Sequence, residues 1–144
     1  MTDRRSFLVA GSVLMGQAAF GGVMAAFAAS PRKASFFTDA EMRTLEALVD
    51  VVLPATDSPA ASAAGTHYFI DLALPACASA DAQRAFRDGL AALGREGFER
   101  QAAGAQIALL KARAERDTAL AYDQSFFKIL KDYTLTGYLS LIHI

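Results

Sequence analysis

Apolar residues in this chain recur at intervals of three and four and nowhere alternate, which restricts the fold to packed helices. Thr38-x-x-Glu41 is a capping box, in which the threonine oxygen takes the amide of the third helical residue and the glutamate reaches back to the cap amide. The helix it opens carries Met42, Leu45, Leu48, Val49, Val52 and Leu53 on one face and Arg43, Glu46 and Asp50 on the other, and Pro54 stops it. A short helix is predicted over 66–74, with Tyr68, Phe69, Leu72 and Ala73 inward and Pro75 at its end. Asp81 is predicted to cap a helix reaching about Arg100 through Phe86, Leu90 and Leu93. A surface helix over 105–121 follows through Ile107, Leu110, Ala114 and Leu120. The last, over 123–138, lines up Phe126, Phe127, Leu130, Tyr133, Thr134 and Gly137. With no alternating run and no Asn-Gly hairpin signal, the expectation is an all-α fold, a small bundle of four or five helices behind an N-terminal leader.

Composition fits a modest core. Of the 144 residues, 53% are hydrophobic, but 31 are alanine, which favours helix and buries little area. A net charge of -1 from 14 basic and 15 acidic residues provides no electrostatic footprint for nucleic acid, and no nucleic-acid partner is expected. One cysteine, Cys77, and two histidines, His67 and His143, allow neither an intrachain disulfide nor a Cys/His zinc site. Cys-x-x-Cys-His, Gly-x-Gly-x-x-Gly and phosphate-loop motifs are absent, so no catalytic residue, cofactor site or metal site is assigned to this chain.

Residues 1–28 have the parts of an export leader: Arg4 and Arg5, an uncharged stretch over 6–31, and small residues before Pro31. Ala26-Phe27-Ala28 places alanine at both small positions of an A-x-A cleavage site, so the mature chain is expected to start at Ala29, with an exposed linker over 29–37 and the helical domain over 38–138. The uncharged stretch exceeds the roughly 20 residues needed to span a bilayer. Gly11, Gly16, Gln17, Gly21 and Gly22 make it weakly hydrophobic, which favours removal over retention as an anchor. Asp3-Arg4-Arg5-Ser6-Phe7-Leu8 resembles the twin-arginine motif, with Val9 and Asp3 as departures; that resemblance implies passage of a folded protein through the twin-arginine translocase to the periplasm. The final six residues, 139–144, match what a sequencing-library adapter encodes when read through, so native sequence is expected to end near Tyr138.

From about Phe37 to Tyr138 the chain resembles the gluconate 2-dehydrogenase subunit 3 family. The likeness is carried by Leu45-Glu-Ala-Leu-Val-Asp-Val-Val-Leu-Pro54, Asp57-Ser-Pro59 with Ala64-Gly65, Phe69-Ile-Asp71, and Phe126-Phe127 through Thr134-Leu-Thr-Gly-Tyr138. Pro59-Ala60-Ala61 stands where the family often has Pro-Gly-Ala. The resemblance implies a non-catalytic small subunit bound to a large FAD-dependent, GMC-type dehydrogenase acting on a sugar, sugar acid or alcohol. It also implies a multihaem cytochrome c subunit, so that FAD and haem c sit in the partners, and a complex associated with the inner membrane from the periplasm.

The residues reach a compatible place independently. Folded export suits a protein that loads a cofactor before crossing, yet this chain has no cofactor motif, so the cargo that needs prior folding is a companion. Candidate anchors for it are Phe126, Phe127, Tyr133 and Tyr138, together with the loop 54–65 and its Pro54 and Pro59; core packing is the competing role for the aromatics. The alternatives are a free-standing periplasmic or membrane-tethered helical binding protein, or a small hydrolase using His67 with Asp71 four residues on. Cys77 is expected to be a buried, unpaired thiol rather than a bridge to a partner.

Overall fold

Residues 17–29 and 32–142 are described by a computed structural model. Among them are six α-helices and no strand: α1 (Gln17–Ala29), α2 (Asp39–Val52), α3 (Thr66–Cys77), α4 (Ala80–Arg95), α5 (Ala103–Asp117) and α6 (Phe126–Leu141). The all-α expectation therefore holds. No helix among the described residues is long and apolar enough to cross a membrane. Arg4, Arg5, Phe7, Leu8 and His143 lie outside the described residues.

Helix α2 starts as its capping box dictates. Glu41 N–H donates to Thr38 Oγ1 at 3.2 Å, and Thr38 N–H donates to Glu41 Oε1 at 2.8 Å. Met42, Leu45, Leu48 and Val49 are buried, and the helix ends just before Pro54, whose ring disfavours helical backbone in the preceding residue. Helix α3 outruns its predicted end. Pro75 sits in the last turn, where its missing N–H forfeits a single bond to the Asp71 carbonyl, and Ala78 N–H still closes on Leu74 O at 3.0 Å. Its buried apolar side is Phe69, Ile70, Ala73 and Leu74, while Tyr68 and Leu72 are only half-buried.

Two further boundaries are corrected by serine caps. Ser79, not Asp81, opens α4, its Oγ accepting from Ala82 N–H at 3.1 Å; Asp81 is exposed in the first turn. That helix stops at Arg95, and Gly97, at φ 70°, turns the chain into a 3-10 turn at Phe98–Arg100 that seats Phe98 in the core. Ser125 opens α6 by accepting from Lys128 N–H at 3.1 Å, leaving Asp123 in a preceding 3-10 turn at Tyr122–Gln124. Helix α5 ends at Asp117 rather than 121 because its last carboxylate is turned to this junction, accepting from Ser125 Oγ at 3.0 Å and Phe127 N–H at 2.9 Å.

Helix α6 is the centre of the bundle, with α2, α3, α4 and α5 packed around it. Lys131 is its one exposed residue. Two glycines permit the closest approaches. A Cβ on Gly137 would lie 2.4 Å from the Phe69 ring, and one on Gly89 would lie 2.3 Å from Phe126. The end of the expected exposed linker is instead part of the domain: Phe37 is buried, and Asp71, 1% exposed, accepts from Ser35 N–H (2.7 Å), Ser35 Oγ (3.1 Å), Phe36 N–H (2.9 Å) and Phe37 N–H (2.9 Å). Arg87 completes this clamp by donating to Phe36 O at 2.8 Å.

Candidate partner interface

The loop 54–65 between α2 and α3 is pinned at its far side and free at its near side. Ser62 donates through both N–H and Oγ to the Asp50 carboxylate, Ala61 N–H donates to Leu53 O at 3.1 Å, and Ala61 is fully buried. Tyr138 Oη donates to Pro59 O at 2.7 Å, tying the loop to α6. Gly65 closes it in the left-handed region at φ 89°, a conformation that glycine adopts without a Cβ clash. The stretch 54–59 is exposed throughout, so Pro54 and Pro59 are on the surface as expected.

Three of the four candidate aromatic anchors face inward. Phe126, Tyr133 and Tyr138 are 1%, 3% and 7% exposed. Phe126 packs on Phe86 with ring centroids 5.1 Å apart and closes over Gly89. These three are core residues, because neighbouring helices cover most of the broad apolar face of α6. Burial also drives the Tyr133 hydroxyl well above its ordinary range. Phe127 alone remains half-buried.

Phe127 lines an apolar groove of about 390 Å³ where α2, α5 and α6 meet. Helix α6 contributes Phe127, Lys131 and Leu135, spaced by four and so stacked along one stripe. Helix α5 contributes Ile107, Leu110, Lys111 and Ala114, and α2 ends the groove with Val51 and Val52. Ile107, which periodicity assigned to the buried side, is 44% exposed here. A single exposed isoleucine is unremarkable by itself; here it shares one concavity with several half-buried apolar side chains. Lys111 and Lys131 accompany them, and neither ammonium belongs to an ion pair among the described residues. Of these nine residues the sequence reading singled out only Phe127 as a partner contact. The stripe Phe127–Lys131–Leu135 is the signal that would have found more.

The His67 and Asp71 side chains do not pair. Both Asp71 oxygens are occupied by the 35–37 segment. His67 is 6% exposed, stacks against Tyr68 at 4.3 Å between ring centroids, and leaves Nδ1 without a hydrogen bond. Burial pulls its pKa below 6.5, opposed by Glu46 and Asp50 and reinforced by Arg32. An acid-base couple therefore does not form at this helix face. Cys77 is a half-buried free thiol whose pKa burial pushes up, which makes it a poor nucleophile. Tyr122 Oη donates to Asp132 Oδ2 at 2.6 Å, with burial raising both groups, and this pair braces the start of α6. Among the described residues no group of three His, Cys, Asp or Glu side chains is placed to hold a metal ion.

Residues 39–141 match the family model described as gluconate 2-dehydrogenase subunit 3, well over half of the chain, and the chain belongs to that family. No curated protein and no solved structure matches it.

Proposed function

We propose that this subunit 3 family member is a non-catalytic accessory subunit that binds an FAD-dependent large subunit and carries it, folded, across the inner membrane by the twin-arginine route. In the periplasm the large subunit would oxidise a CH–OH substrate and a multihaem cytochrome c subunit would take the electrons. Family membership supports a place in a gluconate 2-dehydrogenase complex. Arg4-Arg5 with Phe7-Leu8 supports the route. The observation that carries the reading is the groove beside Phe127, an apolar surface that a small helical domain gains nothing by leaving open unless a partner fills it.

Its lysines set the partner's chemistry: an apolar side chain entering beside Phe127 with a carboxylate near Lys111 or Lys131. Such a contact is a hot-spot arrangement, with an aromatic anchor in a pocket and a charged rim. The test is co-purification of the large subunit with Phe127→Ala. Truncating a half-buried interface aromatic should weaken binding on the order of ten- to a hundredfold while costing the isolated domain only about 1 kcal/mol. Equal losses of binding and stability would make Phe127 another core residue. Replacing Arg4 and Arg5 by Lys should leave both this chain and the flavin-dependent dye reduction in the cytoplasm; undiminished periplasmic activity would end the carrier role.

A further inference from the structure

Helix α1 spans the end of the leader and the first residue of the mature chain, yet is packed on the domain. Val23 and Phe27, one turn apart, are 5% and 4% exposed, while the neighbouring Gly21, Gly22, Ala25, Ala26, Ala28 and Ala29 are exposed. The Phe27 ring meets Phe69 of α3 edge-on, with centroids 6.4 Å apart. From the other side the Arg32 guanidinium sits 3.7 Å over the same ring. Gly65 completes the seat, since a Cβ there would come within 3.3 Å of both Phe27 Cζ and Arg32 Cζ. A 13-residue helix containing two adjacent glycines is marginal in water by itself. Its order therefore depends on this seat.

The same residues form the A-x-A site, Ala26-Phe27-Ala28. An endopeptidase must open a helix before cutting it, so cleavage follows the population of the undocked form. We infer that the face of α3 around Phe69 is a docking surface for helix α1, residues 17–29, which carries the leader's end across the cleavage point, and that docking through Val23 and Phe27 withholds the Ala28–Ala29 bond from processing. Once the helix is drawn off, as it is when a membrane engages the leader, an endopeptidase selective for small residues adds water across that amide. Ala28 leaves with the new carboxylate and Ala29 keeps the new amine. The domain would thus stay joined to its leader while folded and unengaged. Only the identity of the bond rests on the export reading; the docking does not.

Phe27 occupies the unconstrained middle position of A-x-A, so Phe27→Ala keeps both small residues. Burying a phenylalanine is worth enough that its loss should raise the open population on the order of ten- to a hundredfold. The experiment uses the full-length chain with a purified signal peptidase, each rate divided by that of a 20–36 peptide bearing the same substitution. Phe27→Ala should be cut on that order faster than the unsubstituted chain, and Arg32→Ala, outside the A-x-A residues, should shift the rate in the same direction. Hydrogen exchange on the same proteins reads docking without any peptidase: amides 22–29 should exchange more slowly than in a free 17–29 peptide, and Phe27→Ala should abolish the difference. Peptide-like exchange in the unsubstituted chain would overturn the docking. Equal normalised rates, or a peptide that is not cut after Ala28, would overturn the shielding.

Discussion

Asp71 is the residue whose replacement discriminates most sharply between structural and chemical roles. Its carboxylate accepts four hydrogen bonds from 35–37, three of them backbone amides, at 1% exposure. Asp71→Asn keeps an oxygen able to serve Phe36 and Phe37 but presents an NH₂ to Ser35, losing two bonds and the charge. A hydrogen bond to a charged group contributes about 1.5–3 kcal/mol, and part of the loss is recovered by water at exposed Ser35, so about 2 kcal/mol is expected. Asp71→Ala strands all three amides, that of Phe37 in a buried setting, and should cost about 3–5 kcal/mol. For a chain of this size the asparagine variant should melt roughly 8 °C lower. Urea titration followed by circular dichroism measures the loss. Trypsin cleavage at exposed Lys33 reports the local release, and should accelerate in both variants. An asparagine variant within about 0.5 kcal/mol of the unsubstituted protein would refute the clamp. Complex activity should follow the amount of folded subunit, whereas a loss of activity at full stability would restore a chemical role.

Gly89→Ala and Gly94→Ala, in one helix, should have opposite signs. The first pushes a methyl to 2.3 Å from the Phe126 ring and should destabilise by about 2 kcal/mol despite the gain in helix propensity, while the second meets only Thr44 Oγ1 at 3.4 Å and should be neutral or stabilising by up to about 1 kcal/mol in urea titration. His67 makes stability pH-dependent. Its folded pKa lies below 6.5, so below that pH the unfolded chain binds more protons, and its stabilising contribution, complete above 6.5, is lost as pH falls through the depressed folded pKa. Asp132, whose pKa burial raises, contributes the opposite slope, and the difference between the unsubstituted protein and His67→Gln isolates the histidine. Stability profiles that stay parallel from pH 7 to 5 would contradict this assignment.

What could be read from the sequence follows the range of the interactions involved. Helix α2 was legible at its start and along its face because a capping box and a three-four repeat are both local, closing within four residues. Asp71 was visible only as a helical residue one turn after His67, because its partners lie 34 to 36 positions away and no spacing rule reaches them. Helix α6 shows the same limit from the other direction. Its periodicity correctly announced a broad apolar and aromatic face, yet the width of such a face does not say how many neighbours will cover it. Four helices pack on it, enclosing Phe126, Tyr133 and Tyr138 and leaving the Phe127–Lys131–Leu135 stripe only partly covered. Ile107 fails for the converse reason. In α5 Leu110 is the one buried apolar side chain, so this helix touches the bundle along too narrow a line to cover a residue one turn away. Both departures fall on the same groove. A residue whose hydrophobic pattern demands burial and whose bundle does not supply it is the kind of local conflict expected where a second protein completes the core, and the co-purification of Phe127→Ala tests whether one does so here.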